Sequence, residues 1–590
     1  MGGIAAARGG DGPDDDVRRM LAAVAHRGAL RGEVLRVGDV AIGVSGSDGF
    51  EDATLEVRDG LAVAYVGTFD GGDELRNRAG LAATAEPAGA VWRLIREGGI
   101  EAVNALRGPF TVVATDGVKI WAARDHLGYR AAFHRQAGAR AWVANDAHMV
   151  LAGAGLPAAA DLEVVEATLL WGALVEDLGR TGLVGVRRVE RSHAIEIGER
   201  TTRILRYWFP ERLLETAHLT DDELQAAFDE AMSQACRRAL TGSDVVSLSG
   251  GVDSPAVAAY AAPTYLERTG RPLPALSAVY PRQPSADESA FITLAAERIG
   301  MELHTFEEDH GGLDGIDEWM AKIPAPLTGY FLAEASAYLR RVRAMGWRSA
   351  LTGEVVEWIA QERQGLLPWL LARGRFGALA RYYPVLRASG RTRASIARQL
   401  GQAFVPVGVE RWVEGRRAPS AYYPPWVDAA WVRAREPRGD PVPARRRWGG
   451  YQTVLVGGPG TGEEAEDVVQ SVTGARFRKP FADIDVYELF VSLPAEQKFP
   501  GPRSKALLRK LVRGKVPDEI LDRPRKTFFD EAIAARADYP SLRRLLVDPP
   551  VRFRGVDYAA LAARLEAEDL PINEYFWTQR MAVAHAFAAR

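Results

Sequence analysis

Two textures of apolar spacing divide the chain. Up to about residue 200, short apolar runs such as 61–66, 110–114, 119–123 and 141–144 are separated by Gly, Asp and Asn. Runs of that length bounded by turn residues predict a sheet-rich unit, with helices near 16–26 and 86–97. From about 220, long helical patterns alternate with buried strands. The spacing predicts an amphipathic helix over 221–240 and strands over 244–248 and 275–280. A helix over 287–299, a strand over 302–306 and a strand-like piece ending in Leu351-Thr-Gly-Glu354 follow. Strands alternating with helices predict a parallel, doubly wound sheet with ligands at the carboxyl ends of its strands. Between about 360 and 450 lies a stretch rich in Arg, Trp and Pro, including Pro424-Pro425-Trp426 and Arg445-Arg446-Arg447-Trp448. Helical segments with long connections are expected there, and a hinge between domains near 205–220.

Composition adds limits. A chain of 590 residues exceeds what one hydrophobic core usually supports, so two or three domains are expected. A net charge of −3 gives no reason to expect a nucleic-acid partner. The single cysteine, Cys236, excludes an intramolecular disulfide and fits a reducing cytoplasm; within its predicted helix it reads as a buried structural residue. No apolar run approaches the roughly 18 residues that span a bilayer, so no membrane association is expected. The apolar part of Met1-Gly-Gly-Ile4 is too short for a signal peptide. The nine histidines show no zinc-ligand spacing.

The richest stretch is Asp244-Val-Val-Ser-Leu-Ser-Gly-Gly-Val-Asp-Ser254. A β-branched strand runs into Ser249-Gly250-Gly251-Val252-Asp253-Ser254, and Pro255 suits the first turn of a helix. Two glycines let the backbone approach a ligand, and a helix N-terminus offers unpaired N–H groups to an anion. Ser249 and Ser254 add hydroxyls, and Asp253 sits where a carboxylate could hold Mg²⁺ against phosphate oxygens. The lysine that follows a general phosphate loop is absent. The pattern is that of a pyrophosphate loop in enzymes that cleave ATP to AMP and pyrophosphate. A second Gly-rich stretch, Val454–Glu463, lacks that lysine and ends in carboxylates that would repel a triphosphate. It is read as a loop of the substrate region.

With those motifs in view, the chain resembles the asparagine synthetase superfamily. In the first part, Met1-Gly-Gly-Ile4 stands where that family has Met-Cys-Gly-Ile. His26-Arg27-Gly28, Glu74-Leu75-Arg76, Leu106–Phe110 and Arg124-Asp-His-Leu-Gly128 follow in the family's order. In the second part come the 249–254 loop, Asp287-Glu288, Thr352-Gly353-Glu354, Arg478–Asp483, Leu493-Pro494, Lys505–Arg509 and Arg523-Pro-Arg-Lys526. The resemblance implies a degenerate Ntn-hydrolase, glutaminase-like α+β sandwich over 1–205. An ATP-pyrophosphatase-type doubly wound α/β domain over 215–590 follows, with helical additions and an insertion at about 360–470.

The departures from the family matter most. Its glutaminase nucleophile is a cysteine at position 2, and here Gly2 has no side chain to attack with. Val66-Gly67 replaces the family's oxyanion-stabilising Asn-Gly. Glutamine hydrolysis is not expected. Losing the glutaminase while keeping the ATP loop is the pattern of relatives whose amine comes from the substrate itself. Two such groups are the β-lactam synthetases and the macrolactam-forming cyclases of lasso peptide biosynthesis.

The resemblance implies that Leu248, Ser249, Gly250, Gly251, Asp253, Ser254, Val279, Gly353 and Lys505 bind ATP. Asp253 would also hold Mg²⁺, and Glu357 takes the place of the family's second metal-binding carboxylate, although the family's second glycine is missing. Glu354 falls near the reacting centre, either as acceptor of the attacking amine's proton or as a structural residue. Residues 501–527 hold nine Lys/Arg against three Asp/Glu. A helix over 504–513 would present Lys505 and Arg509 one turn apart. Lys526, or in an alternative alignment Arg525, would stabilise the charged intermediate of amide formation.

The expected activity is an ATP-dependent ligase that adenylates a carboxylate and joins it to an amine, as a lasso peptide cyclase. A β-lactam synthetase-like small-molecule enzyme is the alternative. An ammonia-dependent asparagine synthetase or a non-catalytic scaffold comes third. The implied partners are a peptide or small-molecule carboxylate substrate, with a leader-binding protein and a leader peptidase as further candidates.

Overall fold

The computed structural model describes residues 2–590 except 11, 47–52, 69–74, 78, 79, 81–85, 175, 361–364, 407, 410–422, 436–445, 447, 449–459, 502, 525 and 526. Among the described residues, strands form three sheets. The first two are antiparallel and occupy the first 206 residues. One runs β10 (Arg187–Arg188), β8 (Phe133–Ala137), β9 (Arg140–Ala144), β1 (Ile4–Arg8), β3 (Val40–Gly46), β2 (Ala29–Val37). The other runs β12 (Thr202–Arg206), β11 (His193–Ile197), β7 (Ile120–Arg124), β6 (Phe110–Thr115), β5 (Leu61–Gly67), β4 (Thr54–Arg58).

Side chains alternate along these strands with period two, and that alternation builds the layers. Ile4 and Ala6 meet Ala62, Ala64 and Val113 between the two sheets. Ala5 and Ala7 face outward beneath Val17, Met20 and Leu21 of the helix Pro13–Ala22. Val63 and Tyr65 face the other way, under Val91, Trp92 and Ile95 of the helix Pro87–Gly98. The result is a helix–sheet–sheet–helix sandwich.

The third sheet is parallel, in the order β15 (Glu302–Glu307), β14 (Pro274–Val279), β13 (Asp244–Ser247), β16 (Ser349–Leu351), β17 (Arg476–Arg478). Its faces are shared by the same alternation. Val246 packs toward α1 (Asp221–Ala239) and α2 (Asp253–Thr269). Val245 and Ala350 pack on the opposite face, with Leu339 of α4 (Leu332–Ala344) and Val468 of α5 (Thr461–Thr473). The helix α3 (Ser289–Ile299) lies between β14 and β15 in the chain. Strand order reverses at β13, flanked by β14 and β16, so a crevice opens beyond the carboxyl ends of β13 and β16. Both halves of the chain share clusters of buried side chains, since Tyr65 and Val91 join Phe228 and Val246 in one of them.

Among the described residues of the Arg-rich stretch, three helices, Leu366–Ala372, Phe376–Ala388 and Arg393–Gly401, form a small body. Leu366, Trp369, Tyr382, Leu386 and Ile396 pack with Trp448 and Phe499. No helix among the described residues is long and apolar enough to cross a membrane. Cys236 is buried, with its thiol 3.7 Å from the Val257 carbonyl.

Candidate active site

The loop after β13 is held by its own hydroxyls and by one glutamate. Ser249 N–H donates to Ser254 Oγ at 2.8 Å, and the two hydroxyls share a hydrogen bond of 2.9 Å. Gly250 N–H donates to Glu288 Oε2 at 3.0 Å. Arg523 then donates to Glu288 Oε1 at 2.7 Å and to the Gly250 carbonyl at 3.2 Å. A Cβ on Gly250 would lie 2.8 Å from the Glu288 Cβ, so this close approach needs glycine. Asp287 takes the Tyr280 N–H at 3.0 Å and the Ser289 hydroxyl at 2.6 Å. Glu288 therefore braces the loop, while Asp287 fixes the turn that carries Glu288. The helix α2 begins at Asp253, two residues before Pro255, and its positive end faces the crevice.

The loop after β16 closes on the first. A Cβ on Gly353 would lie 2.5 Å from the backbone of Asp253 and Ser254, so only glycine lets the two loops touch. Val355 stands where the family's second glycine falls and keeps a left-handed backbone, φ 82°. A β-branched residue there costs on the order of 1–3 kcal/mol. Glu357, in the first turn of the helix Val356–Ala360, faces Asp253 across Lys505. The Lys505 ammonium contacts the Asp253 carboxylate and lies 3.1 Å from Glu357 Oε1.

Lys505 departs from the expected helix. The helix is Ala506–Leu511, and Lys505 precedes it with a left-handed backbone, φ 55°. Arg509 does not share its direction, donating instead to the carbonyls of Ser504, Ile520 and Leu521. One cation between two carboxylates is an arrangement that a divalent ion also suits. Mg²⁺ usually takes one or two carboxylates plus substrate phosphates, and Asp253 and Glu357 supply that donor set.

Beyond the loops lies a cavity of about 740 Å³, lined among others by Leu248, Ser249, Asp253, Ser254, Gly353, Glu354 and Glu357. Val279 is different. Its neighbours Ala278 and Tyr280 line the cavity, while its own side chain packs against the core, because adjacent strand residues face opposite sides. Glu354 is half-exposed on the wall and pairs with Lys479 Nζ at 2.7 Å. The same ammonium lies 2.6 Å from Glu466 Oε2 and 4.7 Å from the centre of the Tyr129 ring. Burial pulls the Lys479 pKa down, but Glu354 and Glu466 outweigh it and hold it well above the ordinary lysine value. Burial, opposed by Lys479 and reinforced by Glu354, pushes the Glu466 carboxyl up to about 7. Lys479 thus bridges a half-exposed carboxylate and a buried one.

Several of these residues were not legible as site residues. Glu288, Arg523 and Lys479 lie within motifs of the family resemblance that carried no role for them, and nothing in the local pattern marks Tyr129 or Glu466. The stretch 460–463, expected as loop, leads into α5 at Thr461. Glu463 lines the cavity, and Glu464 is buried against Arg124 and Arg188. Arg525 and Lys526 lie outside the described residues, as do 454–459 and Glu74.

In the first half of the chain, the position of the expected nucleophile is filled. A Cβ on Gly2 would lie 2.1 Å from the Ala53 nitrogen and 2.5 Å from the Ser45 carbonyl oxygen. Asn145 fixes this strand end, accepting from Ile4 N–H at 2.9 Å and donating to the Gly2 carbonyl at 3.1 Å. A Cβ on Gly67 would lie 2.2 Å from the Pro109 carbonyl oxygen. Neither position has room for a side chain.

Asparagine synthetase (glutamine-hydrolyzing) 3 of Bacillus subtilis (strain 168) is 23% identical over 446 residues, which cover 72% of this chain and 68% of that relative. Among solved structures, the allosteric regulatory enzyme of purine biosynthesis is 14% identical with a TM-score of 0.26, over 51% of this chain and 80% of that one. The glutamine phosphoribosylpyrophosphate amidotransferase from B. subtilis, complexed with ADP and GMP, is 11% identical with a TM-score of 0.27, over 59% and 80%. These two likenesses are too slight to bear on the fold. The family model for asparagine synthase matches residues 225–588, from within α1 to the end of the last helix. A match over the greater part of the chain makes this protein a member of the asparagine synthase family, an ATP-dependent carbon–nitrogen ligase.

Proposed function

We propose that the protein closes a macrolactam within a linear peptide. ATP and a side-chain carboxylate of Asp or Glu react first. A carboxylate oxygen attacks the α-phosphorus, and pyrophosphate leaves. The α-amine of the same peptide then attacks the acyl carbon, AMP leaves with the bonding electron pair, and the nitrogen gives up a proton. Ser249, Gly250, Gly251 and Ser254 would cradle the phosphates. Asp253 and Glu357 would hold Mg²⁺, which when bound neutralises charge on the departing pyrophosphate. Glu354 and Glu466 stand where a carboxylate could take the amine's proton, and Lys526 or Arg525 would offset charge on the intermediate.

One observation carries the reading: position 2 has no room for a nucleophile, while the 249–254 loop keeps its sequence and Asp253 and Glu357 face each other across Lys505. A ligase that cannot release ammonia from glutamine through this domain needs another amine. An amine on the substrate itself supplies it with high effective molarity. The cavity of about 740 Å³ also leaves room for more than a nucleotide's phosphates. A small-molecule amide synthetase of the β-lactam synthetase type shares every feature named and is the second reading.

The test is AMP and pyrophosphate release from Mg-ATP across a panel of acceptors: aspartate with ammonium, carboxyethylated amino acids, and linear peptides with an internal acidic residue. Peptide-dependent AMP release, with the peptide losing the mass of one water, is the expected result. Release with small acceptors alone would move the protein to the second reading. Silence throughout, with no ATP binding by calorimetry, would leave a scaffold.

A further inference from the structure

The half of the chain that has no nucleophile grips the helix that carries two of the cavity's carboxylates. On one side of α5, Glu464 and Asp467 are fully buried. Glu464 accepts from Arg124 Nη1 at 2.8 Å and from Arg188 Nε and Nη2 at 2.8 and 3.1 Å. Asp467 accepts from Arg27 Nη2 at 2.8 Å and Arg130 Nη1 at 3.0 Å. All four arginines belong to the first 206 residues and are themselves buried. On the cavity side of the same helix stand Glu463 and Glu466. Arg191 Nη2 reaches Glu463 at 3.3 Å.

Arg124 also shapes the loop that delivers Tyr129. Arg124 donates to the carbonyls of Gly128, Arg130 and Val189. The Asp125 carboxylate gathers the N–H groups of Leu127, Gly128, Tyr129 and Arg130 within 3.1 Å. Tyr129 is thereby placed over the Lys479 ammonium. Burying charges costs several kcal/mol per ion, and apolar residues of similar volume often hold two surfaces together at least as well. A fully buried, multiply bonded array does something an apolar contact does not: it fixes direction, since each guanidinium fork accepts a carboxylate in few orientations.

We infer that Arg124 and Arg188 are positioning residues of the ligase site, acting through Glu464 to set the depth and rotation of α5 and so to hold Glu466 against Lys479. The inference rests on the reading of this cavity as the reaction site. It does not depend on whether the substrate is a peptide or a small molecule. The glutaminase-like half is then a wall and a clamp of the synthetase cavity.

The test needs no substrate. The full-length protein is treated briefly with acetic anhydride, and acetylation of Lys479 is read by mass spectrometry against Lys498. Lys498 is likewise buried but lies in a separate cluster beneath Trp448. In Arg188→Met, in the isosteric Glu464→Gln and in Arg188→Lys, which keeps the charge but not the fork, the ratio of Lys479 to Lys498 labelling is expected to rise several-fold. Melting curves identify any variant that does not fold, and Glu464→Gln, which keeps volume and shape, covers the failure of Arg188→Met. An unchanged ratio in folded variants would overturn the inference, as would an equal rise at both lysines. Failure of the macrolactam reading shows separately, in the acceptor panel on the unaltered protein.

Discussion

At the scale of single residues, two atoms' worth of space decide much of the chemistry. Gly353 touches the backbone of Asp253 and Ser254, and a Cβ there would lie at 2.5 Å. Gly353→Ala is expected to push the two loops apart and weaken Mg-ATP binding by about tenfold or more, ~1.4 kcal/mol, measured by calorimetry. Glu466 gives a pH signature. Its carboxyl is raised to about 7 from an ordinary 4.5, so between those values the folded protein holds a proton that the unfolded chain has released. Its contribution to stability therefore falls as pH rises through that window and is constant above it. Glu466→Gln should remove that slope from a plot of melting temperature against pH. A slope identical in both proteins would show that Glu466 ionises normally. If the ionised carboxylate takes the amine's proton, turnover of the unaltered protein also rises with pH to a plateau just above 7.

At the scale of elements, most of the strands and helices that sequence spacing named fall within a residue or two of their expected bounds, while the helix expected near 16–26 is Pro13–Ala22. The alternation that names a strand is the same alternation that builds its two packed faces, as in Val245 and Val246. The expected helix over 504–513 is shorter, Ala506–Leu511, because helical periodicity says nothing of a left-handed residue such as Lys505. The four-residue helix Ala495–Lys498 shows the opposite case, a charged residue inside a core. Burial, partly offset by Glu215, pulls the Lys498 pKa down to about 7 from 10.5. Between these values the unfolded chain holds a proton that the folded one lacks, so stability from this group rises with pH from about 7 to 10.5. Lys498→Met is expected to abolish that rise and to stabilise the protein at pH 7 by about 1–2 kcal/mol. Denaturant midpoints at pH 7 and pH 9.5 check both. A less stable variant at pH 7 would mean that the amine's bond to the Val491 carbonyl, 3.2 Å, outweighs its desolvation.

At the scale of the whole molecule, the proposal that glutamine is not hydrolysed rests on more than a missing thiol, because the space at Gly2 is filled. Restoring the residue in Gly2→Cys should neither release glutamate from glutamine nor leave stability unchanged, since its Cβ meets Ala53 and Ser45. Glutamate formation in the variant would show that this strand end opens. What the sequence alone determined is local: a strand, two glycines, two hydroxyls and a helix start in that order give a tight strand–loop–helix turn, because backbone geometry and helix ends follow from neighbours in the chain. The absence of a nucleophile was equally plain. The tertiary structure decided the rest. Lys479 between Glu354 and Glu466, Lys505 between Asp253 and Glu357, and the arginines of the first half around Glu464 and Asp467 join segments far apart in the chain. Ion pairs act through distance and burial, and neither exists until the sheets have packed.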